Sequence, residues 1–253
     1  MHSEDFIPVF IDGFGTPAGA IRAATARLLD EAEVASVRGD GRFVLPGVQA
    51  EMERLFASAH DVLSARDLVA PIRAEAMSIR IEWDGPVIGT VDRSLLRVFG
   101  LLGTKVHING IAQSEEGSKI WLARRAADRR ASPLHLDTMV AGGQPHGMSL
   151  LETVAMEGAE EAGLTAVELA GLREIKRLDL DYTTSEGRHR ERLVIYDLLL
   201  PESFIPILED GELIESLLVT PSKLAELLDG GDRFKYNSAV VCRDLLARLT
   251  RNS

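Results

Sequence analysis

The chain has 253 residues, enough for one large domain or two small ones with a sizeable core. Its net charge of −11 argues against a nucleic-acid polymer as partner, and its one cysteine, Cys242, excludes an intramolecular disulfide. Hydrophobic residues make up 45%, no apolar run approaches the roughly 18 residues of a membrane span, and MHSEDFIP has no signal-peptide core. A cytoplasmic protein away from the membrane is the expectation.

In chain order, Phe6–Ile11 reads as a strand ended by Asp12-Gly13. Gly13-Phe14-Gly15-Thr16-Pro17-Ala18 nominally fits a dinucleotide fingerprint. The next strand candidate, Arg42–Leu45, ends in Pro46 rather than in an acid that would hold a ribose, so that reading fails. A helix from Thr16 to about Glu33 is predicted instead, with Thr16 as N-cap and Pro17 in its first turn. A second helix spans about Val48 to Ser64, with Met52, Leu55, Phe56, Ala59 and Leu63 inward and His60 a lone histidine read as structural or exposed rather than functional. Met77–Trp83 and Val87–Val91 read as strands about the turn Asp84-Gly85-Pro86, and Ser94–Phe99 as a short helix.

Lys105–Gln113 and Lys119–Arg124 form a predicted hairpin, turning at Ser114–Ser118. Arg124, Arg125, Arg129 and Arg130 then concentrate positive charge, which is either a solvated loop or a phosphate contact through Arg124 or Arg125. Leu134–Val140 is one predicted strand, with Asp137 either a site residue or a structural partner. Beyond it, Leu172–Tyr182 and Arg192–Leu200 read as strands joined by a polar loop, TTSEGRHRE. Leu213–Val219 is a further strand, and Ser222–Leu228 and Ser238–Thr250 are helices; Cys242 falls in an apolar run and is expected in the core.

The chain is organised around GGQPHGMSLLETVAMEGAEEAGL, Gly142 to Leu164. Ser149 and Glu152 form a capping box, and Gly163 stands where a left-handed C-cap belongs. Leu151, Val154 or Ala155, Gly158 and Ala162 give the expected buried stripe, and Glu157, Glu160 and Glu161 the acidic opposite face. Carboxylates at i, i+3 and i+4 repel one another and sit at the negative end of the helix dipole. A hard divalent cation offsets both penalties.

This stretch resembles a Nudix box, G-x5-E-x7-R-E-U-x-E-E-x-G-U, with the three glutamates of its core at Glu157, Glu160 and Glu161 and its closing G-U at Gly163-Leu164. Met148, Met156 and Gly158 depart from it, in place of a glutamate, the arginine and an aliphatic residue. FIPVFIDG, VDRSLLRVFGLLGTKVHING, KIWLARR, YDLLLPESFIP, DGEL and FKYNSAVVCRDLLAR extend the similarity to a Nudix subfamily with its own N-terminal domain, related to or fused with thiamine pyrophosphokinase.

The resemblance implies an α+β chain: a small α+β domain over 1–102, then a Nudix α/β/α sandwich over 103–253. It implies a pyrophosphohydrolase that binds Mg2+ or Mn2+ through Glu157, Glu160, Glu161 and a later loop acid. Glu212 is the candidate for that acid, with Glu202 and Glu209 competing. Glu157 and Glu161 are the catalytic candidates, and Arg124, Arg125, Asp137, Gly142 and Gly143 the substrate-binding ones. The implied substrate is a small organic diphosphate such as thiamine diphosphate or its damaged forms. The first domain would shape substrate access or a subunit interface, as in a homodimer. The alternatives are a phosphorylated-ligand binder without turnover and a prenyl-diphosphate isomerase-like enzyme.

Overall fold

The computed structural model of the chain describes residues 5–114, 117–208, 211–230 and 234–251. They form two units. The first comprises the described residues up to Thr104 with Pro145–Gly147 and Asp179–Arg192; the second comprises Lys105–Gln144, Met148–Leu178 and the described residues from Leu193 onward.

In the first unit, β1 (Phe6–Ile11) is the middle of a three-stranded sheet, between antiparallel β2 (Gly19–Arg22) and parallel β3 (Phe43–Leu45). The predicted helix from Thr16 is therefore corrected: its first turns are strand β2, and helix α1 runs only over Ala23–Glu31. Packing overrides the local helix signals. Ala18, Ala20 and Ile21 are all buried, and Ala20 N–H donates to the Phe99 carbonyl at 2.9 Å. Gly19 lies so close that a Cβ there would stand 2.2 Å from that same oxygen.

Helix α2 (Gln49–Ser64) carries the predicted face, with Met52, Phe56, Ala59 and Leu63 buried. Phe56 meets Phe99 edge-on at 5.1 Å, and Phe43 lies 5.9 Å away on its other flank. Burial of each such ring stabilises by about 1.5–3 kcal/mol. The hairpin β4 (Ala76–Ile79) and β5 (Gly89–Asp92), with the one-turn α3 (Arg93–Leu96), completes this core.

The remaining elements are β6 (Leu102–Ser114), β7 (Gly117–Arg125), β8 (Leu136–Thr138), β9 (Val140–Gly143), helices α4 (Leu150–Ala162) and α5 (Ala166–Leu169), β10 (Arg173–Thr184), β11 (Gly187–Leu200), β12 (Leu213–Val219), and helices α6 (Pro221–Asp229) and α7 (Tyr236–Leu249). They make up the second unit, except that Leu102–Thr104, residues 179–184 of β10 and residues 187–192 of β11 count with the first. The sheet order is β10-β11-β6-β7-β12, with β8 paired to β7 and β9 to β6. The hairpin β6–β7 forms as predicted; residues 115–116 of its turn lie outside the described residues.

Period-two alternation makes a sandwich of this unit. On β7, Trp121 packs with Val154 and Ala162 of α4, while its neighbours Ile120 and Leu122 pack with Leu224 of α6 and Leu245 of α7. One face of the sheet is thus covered by α4 and the other by α6 and α7, the α/β/α arrangement expected. Cys242 is fully buried in the second of these cores, where burial pushes its thiol far above the usual range.

Two readings change. The single strand expected over 134–140 is split at Met139: β8 pairs with β7 and β9 with β6. Thr138 fixes the switch, its hydroxyl donating to the Val140 carbonyl at 3.0 Å and meeting His107 Nδ1 at 2.9 Å. The polar loop expected after Tyr182 is mostly strand, since β11 begins at Gly187. Gly187, His189 and Glu191 are buried and alternate with half-buried Arg188, Arg190 and Arg192, so a period-two pattern hides in an all-polar run. His189 and Glu191 are tolerated inside because Thr184 and Tyr182 hydrogen-bond to them, at 2.8 and 3.0 Å.

Candidate active site

Helix α4 begins and ends as its sequence dictates. Ser149 Oγ accepts from Glu152 N–H at 3.2 Å, and Glu152 returns the contact to Ser149 N–H at 2.7 Å. Gly163 closes the helix with φ of +63°, a conformation costly for residues with a side chain. The expected stripe holds at Val154, Gly158 and Ala162 and fails at Leu151, while Thr153, Glu157 and Glu161 turn inward with it. Leu151 is 65% exposed, and the buried positions are Thr153, Val154, Glu157, Gly158, Glu161 and Ala162. Two of the three glutamates thus lie inside, and Glu160 alone faces solvent. Gly158 is small for a local reason: a Cβ there would already sit 3.2 Å from Leu164 Cδ1.

The two inward glutamates, one helical turn apart, rest on β9. Glu161 Oε2 accepts from Ala141 N–H at 2.7 Å. Glu157 packs on the bare backbone of Gly142, where an added Cβ would stand 1.9 Å from Glu157 Oε1. We expect Gly142→Ala to expel the Glu157 carboxylate and to cost about 1–3 kcal/mol as overpacking. Denaturant titration of the variant measures that cost; an unchanged midpoint would show the contact to be dispensable.

Burial, then Glu157, then Asp137 push the Glu161 carboxyl well above the usual carboxylate range; the Ala141 hydrogen bond and Lys235 oppose this without cancelling it. Two carboxylates side by side in this buried site therefore disfavour both being charged at once, in a setting of hard oxygen donors.

Asp137, on β8, is buried and fully engaged. Its Oδ1 accepts from Thr138 N–H at 2.9 Å and from the Ser238 hydroxyl; its Oδ2 meets Lys235 Nζ at 2.7 Å and Arg125 Nη1 at 3.6 Å. Burial acts to raise its pKa, but Lys235, His107 and Arg125 prevail and hold it at about 2. Lys235 and Ser238 reach this point because Phe234 bridges Leu136 and Lys235 N–H donates to the Leu136 carbonyl at 3.0 Å. Sequence reasoning missed both. They lie about a hundred residues from Asp137 in the chain, and no local spacing links them.

The remaining expected residues are dispersed. Arg124 pairs with Glu215 at 2.6 Å and donates to the Leu134 carbonyl at 3.2 Å. Buried Arg125 also donates to the Ala131 carbonyl, at 3.1 and 3.2 Å. Glu212 pairs with Arg129 at 2.5 Å, and Glu202 with Lys119 at 3.7 Å. Glu209 lies outside the described residues. Gly143 continues β9 opposite Lys105. Among the described residues, no three His, Cys, Asp or Glu side chains converge to hold a metal ion, so Glu157, Glu160, Glu161 and Glu212 are not a preassembled cluster.

No family model matches the chain. It is 30% identical over 201 residues to Nudix hydrolase 24, chloroplastic, of Arabidopsis thaliana, covering 78% of this chain and 54% of that protein. It is likewise 30% identical over 198 residues to Nudix hydrolase 20, chloroplastic, of the same plant, covering 77% and 52%. The chain is thus similar to plant Nudix hydrolases. It spans about half the length of these curated relatives. Among solved structures, that of MutT protein from Methanosarcina mazei is 21% identical with a TM-score of 0.43, over 60% of this chain and 94% of that one. Both plant relatives are named chloroplastic, which does not support the cytoplasmic expectation; among the described residues, no helix is long and apolar enough to cross a membrane.

Proposed function

We propose that this chain, as a Nudix hydrolase, hydrolyses a phosphoanhydride bond in a small organic diphosphate and releases a monophosphate. The observation that carries the reading is the buried pair Glu157 and Glu161, seated on Ala141 and Gly142. A buried carboxylate whose proton affinity is raised by burial and by a neighbouring carboxylate suits a divalent cation. Mg2+ commonly takes one or two carboxylates and completes its shell with water and phosphate oxygens, so two inward glutamates suffice without a third converging acid. Glu157 and Glu161 would hold Mg2+ or Mn2+, with solvent-facing Glu160 able to join. A bound ion would supply charge neutralisation at the diphosphate and a more acidic attacking water.

The chain's own groups do the rest. Ala141 N–H fixes one oxygen of Glu161 and so orients the other. One of these glutamates acts as general base towards the attacking water. Asp137, tied to Lys235, Ser238 and Arg125, braces β8 beside the strand on which the pair rests. Arg124, a third exposed, is the candidate phosphate contact and would exchange Glu215 for it.

The wider similarity of the chain suggests the subfamily related to thiamine pyrophosphokinase, with a separate domain over 1–102, and hence thiamine diphosphate or its oxothiamine and oxythiamine forms as substrate. The test is product analysis with thiamine diphosphate, oxothiamine diphosphate, ADP-ribose, NADH and dNTPs, each with Mg2+, Mn2+ or EDTA. Metal-dependent monophosphate release from the thiamine compounds is expected. Turnover of nucleotides alone would remove the thiamine assignment and leave the reaction.

Met148 and Met156, where the box has a glutamate and an arginine, favour a second reading: a binder without turnover. Metal-dependent ligand binding with no product from any compound would establish it. An isomerase using Cys242 is disfavoured, because that thiol is fully buried; full activity in Cys242→Ala would remove it.

A further inference from the structure

The first unit contains a cavity of about 280 Å³ that has no part in the carboxylate site. Its floor is apolar and preformed: Phe56, Val91 and Leu95 are each at most 5% exposed, and the ring of His60, held at the Ala70 carbonyl at 3.0 Å, walls one side. Glu53 and Asp92 bring carboxylates to the lining, and among the described residues no Lys or Arg side chain joins them. The nearby guanidinium of Arg93 is occupied elsewhere, on Glu75 at 2.8 Å.

Asp92 is fixed rather than mobile. Its Oδ1 accepts from Ser94 N–H at 2.9 Å and from Arg73 N–H at 3.4 Å. Burial pushes its carboxyl up, but the Ser94 side chain and the N–H groups of Ser94, Arg73 and Glu75 hold it below the usual aspartate value, so it is an anion at neutral pH. Glu53 is oriented by Gln49, whose side-chain N–H reaches Glu53 Oε1 at 2.7 Å. Ala74, also in the lining, has φ of +55°, which is strained for a residue with a Cβ. Such strain persists where the surroundings impose it, commonly at ligand-binding positions.

We propose that this cavity binds a small organic cation: a single apolar or aromatic body seated on Phe56, Val91 and Leu95, with an ammonium-type charge between Glu53 and Asp92. The volume suits one ring with small substituents. An anion would meet two carboxylates with no lining Lys or Arg to compensate. A neutral molecule of the same shape would use only the floor. The proposal does not depend on the hydrolytic reading of the second unit.

Isothermal titration of the full chain with benzyltrimethylammonium, benzyl alcohol and benzoate tests it. Saturable binding of the cation is expected, weakening as salt rises, with benzyl alcohol weaker and benzoate silent. Glu53→Gln, an exposed change that leaves the core intact, is expected to weaken the cation about three-fold. Ala57→Trp, on the exposed face of α2 in the lining, is expected to abolish binding. Glu161→Gln and added Mg2+ are expected to leave it unchanged. Equal binding of benzyl alcohol, full affinity in Ala57→Trp, competition by Mg2+, or no binding of the cation would each overturn the proposal.

Discussion

Glu161→Gln is expected to lower kcat/KM by about 100-fold or more while leaving the metal-free protein at least as stable as the parent. The first figure follows because even groups that only support a metal ligand are worth about 10–100-fold. The second follows from the setting. Gln keeps an oxygen for Ala141 N–H but removes a buried charge that faces Glu157 and Asp137. Relief of about 1 kcal/mol corresponds to a rise of roughly 2–4 °C in Tm for a chain of this size. Calorimetry with EDTA and with Mg2+ reads both effects: the parent is stabilised by the ion and the variant is not. A variant that is inactive and also less stable without metal would mean that Glu161 is a structural group. A variant with full activity would remove the carboxylate pair from the chemistry.

Lys235→Met is expected to give the largest stability loss, about 3 kcal/mol, because it strands a buried carboxylate. Asp137 would keep Thr138 N–H, the Ser238 hydroxyl and Arg125 at 3.6 Å, but lose its ammonium at 2.7 Å. The pH dependence has a definite sign. The folded pKa of Asp137, about 2, lies below its ordinary value of 3.8. The carboxylate therefore contributes stability, about 2 kcal/mol, that is fully present above pH 3.8 and lost as pH falls through 2. Without Lys235 that loss should begin at higher pH. Urea titrations between about pH 2 and pH 7 test this, and adding Asp137→Asn to Lys235→Met should recover part of the loss. An unchanged acid midpoint in Lys235→Met would show that Arg125 and the hydrogen bonds suffice.

These two variants divide the site along the line that separates sequence from fold. The Glu157–Glu161 pair was legible because helical spacing and two helix caps are local matters: Ser149, Glu152 and Gly163 set where α4 starts and stops, and its acids follow. The strands Phe6–Ile11 and Leu213–Val219 were legible for the same reason, each being an apolar run between turn residues.

Local rules failed where burial outranked propensity. The run after Thr16 carries the marks of a helix start, yet β1 and the Phe99 carbonyl draw Gly19–Arg22 into a strand. Arg188 and Arg190 looked like a loop, because an alternation of charged with buried polar residues carries no hydrophobic signal. The sequence by itself determined an acidic, well-capped helix after a glycine-bearing run, and that run's resemblance to a Nudix box; that the glycines lie in a strand came from the fold. The tertiary structure decided which carboxylates turn inward, and that Lys235 and Ser238, distant in the chain, answer Asp137. The physical reason is that helix spacing is set within a turn of the chain, whereas the environment of a charge is set by whatever packs against it.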